Sequence, residues 1–128
     1  MSTFTHIMVG SSDIEASRRF YDPVLGALGF NNAPPGKSLF YMGPDGFAGG
    51  AFGVGVPRNG DPATFANGGT IGFRAKSREA VDAFHAAGCA NGGSCEGPPG
   101  VREGAPGAPY GAYVRDPDGN KLCAFVMG

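Results

Sequence analysis

Thr5-His6-Ile7-Met8-Val9 runs into Asp13, Phe20 and Tyr21, and Gly69-Thr70-Ile71-Gly72-Phe73 runs into Ser77, Phe84 and His85. His6 and Thr70 are 64 positions apart, and so are Phe20 and Phe84. The chain has 128 residues, so each copy occupies half of it. A repeat of this period makes each copy one supersecondary unit that buries its apolar face against its neighbour. A site built between the copies would draw matched positions from both.

Working outward, Phe4 to Val9 is a β-prone run bounded by Gly10. Ser12 with Glu15 three residues on would make a capping box, but Asp13 is the N-cap that matches Ser77 in the second copy. Ile14, Ser17, Phe20, Tyr21, Val24 and Leu28 recur at helical spacing. Pro23 ends that helix at Asp22, with a short further turn to Gly29. Ser38 to Met42 is a strand, Gly43-Pro44-Asp45-Gly46 a turn, and Phe47 to Val56 a glycine-rich strand. Pro57 to Gly68 reads as the linker.

In the second copy Thr70 to Ala75 is a strand. Ser77 caps a helix whose inner face is Ala80, Val81, Phe84, Ala87 and Gly88, with His85 flanking it and doing no chemistry. Asn91 to Pro109 reads as a long Gly/Pro loop of the kind that serves as a lid or binding loop. Tyr110 to Arg115, the turn Asp116-Pro117-Asp118-Gly119, and Asn120 to Met127 complete the copy. The two turns match at an offset of 73, which carried forward pairs Gly50 with Cys123 and Phe52 with Phe125. The expected fold is α+β: two tandem βαβββ modules, about 1–57 and 68–128, in a single domain.

Composition narrows the function. Hydrophobic residues make up 41% and charged residues 16%, which is globular rather than disordered. Ten basic residues against eleven acidic ones, with no basic cluster, argue against nucleic acid and anionic membrane as partners. The N-terminus lacks a signal-peptide pattern and no apolar run reaches membrane-spanning length. Three cysteines without a C-x-x-C suit neither a disulfide framework nor a zinc knuckle. The expectation is a cytoplasmic protein.

His6 on the first strand, the Ser-Asp before a helix ending Phe20-Tyr21, and Leu25-Gly26-x-Leu28-Gly29-Phe30 resemble the vicinal oxygen chelate superfamily. Tyr110-Gly111-Ala112-Tyr113-Val114-Arg115-Asp116-Pro117-Asp118-Gly119-Asn120 is similar to its second recurrent signature. That superfamily includes glyoxalase I, bleomycin-resistance proteins and extradiol dioxygenases. The resemblance implies curved sheets that enclose a cup, with flanking helices and often a homodimer. In metal-dependent members it implies ligands, usually His and Glu, at four slots that fall here on His6, Gly50, Thr70 and Cys123. Only His6 is a usual ligand, whereas a catalytic first-row metal generally needs three.

Each candidate has two readings. His6 is either a residual ligand or acid/base facing the cup, or a hydrogen-bonded strand-end histidine. Cys123, among Leu122, Ala124 and Phe125, is either a thiolate ligand or redox-sensitive nucleophile, or a small buried hydrophobe. Tyr41, Tyr110 and Tyr113 can stack on a ligand or simply pack. Alternation places Tyr113 and Arg115 on one strand face and Ala112 and Val114 on the other. Arg74, Arg102 and Arg115 are the anion-binding candidates.

The expected function is binding of a small organic ligand in a cup lined by Phe40, Phe52, Tyr110 and Tyr113, with Thr70, Arg102 and Cys123 contributing, and without a metal cofactor. The alternatives are a metal-free enzyme with His6 or a tyrosine as acid/base, and a glyoxalase-like lyase, isomerase or dioxygenase using Zn, Ni, Mn or Fe on a vicinal-oxygen substrate. The metal-dependent reading requires Gly50, Thr70 and Cys123 to be tolerated, or Glu103 to move in.

Overall fold

Each half opens on a strand that passes directly into a capped helix. β1 (His6–Gly10) leads to α1 (Ile14–Gly26), and β5 (Ile71–Arg74) leads to α2 (Arg78–Ala90), in a computed structural model that describes residues 2–33 and 36–127. The strands β2 (Asn31–Asn32), β3 (Leu39–Met42) and β4 (Ala51–Gly55) follow α1, with a 3₁₀ turn at Gly46–Gly49. After α2 come β6 (Ser94–Val101), β7 (Tyr110–Arg115) and β8 (Lys121–Val126).

Both helices start where the sequence places their caps. The Asp13 carboxylate accepts hydrogen bonds from the backbone N–H of Glu15 and Ala16 at 3.1 and 3.2 Å. The Ser77 hydroxyl accepts one from Ala80 at 3.1 Å. Each satisfies helix-start donors that have no intrahelical partner, an effect of about 1 kcal/mol per cap.

The sheets have the same topology. One has the order β1-β4-β3-β2 and the other β5-β8-β7-β6, with β1 parallel to β4 and β5 parallel to β8. Leu39, Tyr41, Phe52 and Val54 of the first sheet, and Ala112, Val114, Leu122 and Ala124 of the second, join Phe20, Tyr21, Val24, Leu25, Val81 and Phe84 in one core. Ring contacts cross between modules: Phe52 with Phe73 at 5.2 Å and Phe30 with Phe73 at 6.1 Å between centroids. Strand alternation then leaves each sheet an open face away from that core. Met8, Phe40 and Gly53 share the first, and Cys123, Tyr113 and Phe125 share the second.

A polar clamp fastens the second module to the first. The turn from Asp116 to Asn120 joins β7 to β8, with Gly119 at φ +90°. One Asp116 carboxylate oxygen accepts from the backbone N–H of Asp118 and Asn120 at 2.9 and 2.8 Å. The other accepts from the Tyr21 hydroxyl on α1 at 2.5 Å and from Asn120 Nδ2 at 2.8 Å. Asn120 Nδ2 also reaches the Gly10 carbonyl at 3.2 Å, and Asp118 accepts from the Ser12 N–H at 3.0 Å. Burial and the Asp116 carboxylate push the Tyr21 hydroxyl well above its ordinary pKa. Burial also raises the Asp116 carboxyl, despite the hydrogen bonds it accepts.

Four expectations change. Helix α1 runs through Pro23 to Gly26 instead of ending at Asp22. The bond that Pro23 forfeits would have used the Arg19 carbonyl, and both residues lie on the exposed side of the helix, where a carbonyl is accessible to solvent. The ladder resumes with Ala27 N–H to the Pro23 carbonyl at 3.1 Å.

The segment 91–109 is not one long loop, because Ser94–Val101 pairs with β7 as an edge strand. Its prolines, Pro98 and Pro99, fall within a register shift between Gly97 and Gly100, where a missing N–H costs no ladder bond. Phe47 lies in the 3₁₀ turn, not in a strand.

The fourth change concerns the repeat itself. In register, Ile7 faces Phe52 and Ile71 faces Leu122, so Phe52 corresponds to Leu122 and Gly53 to Cys123. The offset of 73 holds for β3 and β7, where Tyr41 faces Phe52 and Val114 faces Leu122. It falls to 70 at β4 and β8 because the 3₁₀ turn adds three residues to the first hairpin. An odd error in offset flips every side chain to the other face, which explains why Phe52 is in the core and Phe125 is not.

The clamp predicts a stability ranking. Tyr21→Phe leaves a buried carboxylate oxygen short of a donor and is expected to cost about 1–3 kcal/mol in urea unfolding. Tyr41→Phe, whose hydroxyl donates to the exposed Asp22, is expected to cost less. Equal losses would contradict the special weight given to Asp116.

Candidate functional site

Sheet order puts β1 and β5 at the edges of their sheets, and a groove of about 420 Å³ opens between residues of the two. His6 and Ile7 line it from β1, and Ile71, Gly72, Phe73 and Arg74 from β5. Leu25, Leu28 and Phe52, all buried, form its floor. Phe30 contributes a further apolar surface, and the exposed Phe4, Asp45, Arg74 and Lys76 form the rim. The result is an apolar trough with two cations at its β5 side, a common form of small-molecule site. Among the described residues, neither Arg74 nor Lys76 forms a salt bridge.

The groove takes in two of the four family slots, His6 and Gly50. His6 is exposed, with Nδ1 3.0 Å from the Thr5 hydroxyl. Gly50 precedes β4 at φ +88°, where a side chain would be strained, and it offers none. Thr70 is exposed, just ahead of β5. Cys123 lies on β8 beside Gly72, is 5% exposed, and its thiol is pushed up to about 11 by burial. Gly53, the true counterpart of Cys123, is covered: a Cβ there would collide with the Met8 sulfur and the Phe40 ring.

These donors do not fit a vicinal-oxygen-chelating metal. Such an ion needs three or more deprotonated N, O or S ligands around one point. The slots supply one imidazole, one hydroxyl and one thiol held neutral by burial, with no carboxylate. Among the described residues, no three His, Cys, Asp or Glu side chains converge to hold a metal ion.

The aromatic candidates are dispersed. Phe40 lies on the first open face beside Met8. Tyr113 lies on the second, edge-on to Phe125 at 5.5 Å, with the Arg102 guanidinium at 5.6 Å and Lys121 Nζ at 5.0 Å from its ring. Phe52 belongs to the core and forms part of the groove floor. Tyr110 is on the helix side of its sheet, donating to Asp82 at 2.6 Å beneath the Arg78 guanidinium.

The three arginines also separate. Arg102 folds back on the β6 carbonyls of Pro98 and Gly100 at 2.6 and 3.0 Å. Arg115 pairs with Glu96 at 2.6 Å. Arg74 alone of the three enters the groove. Lys76, Phe30, Ile71 and Phe73 are not legible in the sequence as site residues, because only the sheet order shows that β1 and β5 are edges with a gap between them.

Two βαβββ modules in identical strand order, sharing one core, define a protein of the glyoxalase-like fold. The chain belongs to the glyoxalase/bleomycin resistance protein/dioxygenase superfamily, whose pattern it matches over residues 3–124. It is similar to a glyoxalase/bleomycin resistance protein from Albidiferax ferrireducens T118, with 52% identity over 97% of this chain and 98% of that one, at a TM-score of 0.85. A glyoxalase-related enzyme from Fulvimarina pelagi shares the fold at 20% identity and TM-score 0.73, over 98% of this chain and 88% of that one. So does a lactoylglutathione lyase from Agrobacterium tumefaciens, at 23% identity and TM-score 0.62, over 98% and 93%. None of the curated proteins matches the sequence.

The environment of Cys123 predicts inertness. With its thiol near 11, roughly one part in a thousand is thiolate at about pH 8. Iodoacetamide on the native protein is therefore expected to leave Cys123 unmodified by peptide mass analysis. Rapid labelling there would mean that the burial is wrong.

Proposed function

We propose that the chain binds a small organic anion with an apolar, preferably aromatic, body and that it does so without a catalytic metal. The observation that supports this most directly is the groove itself: an apolar floor of Leu25, Leu28 and Phe52 beside Arg74 and Lys76. The floor suits the body of such a ligand through burial of apolar area. Arg74 suits a carboxylate or phosphate, which a guanidinium can hold with two parallel hydrogen bonds. His6, across the groove on β1, adds a ring nitrogen that can donate to or accept from the ligand.

The partners in this reading are the ligand and a second copy of the chain. β1 and β5 each leave one edge unpaired, and Phe4 and Met8 near the β1 edge are 63% and 45% exposed. Unpaired edges flanked by exposed apolar side chains favour a covering partner. A homodimer would give twice the 13.0 kDa chain mass by light scattering, and a monomer at all concentrations would remove the second copy from the proposal. No helix among the described residues is long and apolar enough to cross a membrane. Three free thiols suit a reducing cytoplasm.

Binding is tested with 1-anilinonaphthalene-8-sulfonate as an aromatic anion, followed by amide chemical shifts. The expectation is one site per chain, with shifts concentrated at Ile7, Ile71 and Phe73. Arg74→Ala is expected to weaken binding about tenfold, or 1.4 kcal/mol. Shifts confined to the open faces, or no effect of Arg74→Ala, would overturn the assignment.

A further inference from the structure

Away from the groove, the second module brings together both of its solvent-facing cysteines and its only histidine. His85 and Cys89 are one turn apart on α2, and Cys95 is on the edge strand β6. His85 Nε2 lies 3.1 Å from Cys95 Sγ and 3.8 Å from Cys89 Sγ. Both sulfurs touch the same nitrogen, so they lie within about 7 Å of each other. Both cysteines are exposed and His85 is half-buried.

We propose that His85, Cys95 and Cys89 form a dithiol site that is oxidised by hydrogen peroxide to a Cys89–Cys95 disulfide. Cys95 is the attacking thiol, since its sulfur is the closer to the imidazole. Nε2, unprotonated in the Nδ1–H tautomer, takes the Cys95 proton. The thiolate electron pair forms an S–O bond to one peroxide oxygen as the O–O bond breaks. The hydroxide released takes the proton from His85 and leaves as water, and Cys95 is left as a sulfenic acid. The Cys89 sulfur then attacks the Cys95 sulfur. The S–S bond forms as the S–O bond breaks, and the Cys89 proton leaves with hydroxide as a second water. Two thiols together lose two electrons and one peroxide gains them.

Partial desolvation and the neighbouring Cys95 raise the Cys89 thiol, which makes it the poorer nucleophile for the first step. The product would tie α2 to the edge strand β6, the one strand of the second sheet whose ladder is interrupted by register shifts. Nothing in the groove takes part, so the site stands independently of the ligand-binding proposal.

The test counts free thiols and maps disulfides by mass spectrometry after the reduced full chain meets hydrogen peroxide at neutral pH. The expected result is loss of two of the three thiols, one peroxide consumed per chain, a single intrachain Cys89–Cys95 bond, and an intact Cys123 thiol. Cys89→Ser is expected to stop at a Cys95 sulfenic acid that dimedone traps. His85→Ala is expected to slow Cys95 oxidation about tenfold, within the gain of about thirtyfold available from full ionisation of an ordinary thiol at pH 7. Retention of all three thiols, a bond joining two chains, or a rate unchanged in His85→Ala would overturn the proposal. Circular dichroism of each variant confirms that it remains folded.

Discussion

The Asp116 carboxylate holds the two halves in place. Four hydrogen bonds converge on it, from Tyr21, the Asn120 side chain and two backbone N–H groups, and its turn also reaches Gly10 and Ser12. One hairpin turn of the second module is thus pinned to the strand-to-helix junction of the first. A buried carboxylate is tolerable only when its acceptors are satisfied, and satisfying them fixes where α1 lies against the turn between β7 and β8. The shared core of Phe52, Phe73 and Phe30 packs across the same boundary. The gap between β1 and β5, and hence the groove, follows from that placement.

Much of the architecture was legible in the chain. The 64-residue repeat, the paired caps at Asp13 and Ser77, and the alternation in Tyr110–Arg115 gave both modules and the faces of β7, because capping and alternation are local rules. What escaped depends on distant parts of the fold. Pro98 and Pro99 argue against a strand unless one knows that β6 is an edge with a bulge. The three-residue difference between hairpins, which moves the partner of Cys123 from Gly50 to Gly53, is invisible when the turns are aligned by their Pro-Asp-Gly motif.

The site was legible only in fragments. His6 stands out as a single residue and Arg74 is one of three arginine candidates, of which Arg102 is the preferred one; His6 and Arg74 border the groove. The aromatic cup expected from Phe40, Phe52, Tyr110 and Tyr113 is divided between opposite faces of two sheets. Two neighbouring residues on a strand face opposite ways, so a set of aromatics drawn from several strands cannot be assigned to one surface without the register. The family gives the fold and a range of chemistries, and fold alone does not choose among them. The proposed metal-free reading rests on donor chemistry: among the described residues, a covered Gly53, a buried Cys123 thiol and an exposed Thr70 are poor companions for His6.

The most direct measurement is metal retention by tag-free protein, parent and His6→Ala, after loading with Ni²⁺, Zn²⁺, Mn²⁺ or Fe²⁺ and exhaustive dialysis. The proposed metal-free groove predicts the same content in both proteins for every ion. Near-stoichiometric metal in the parent that disappears in His6→Ala would contradict it and restore a metal-dependent lyase or dioxygenase.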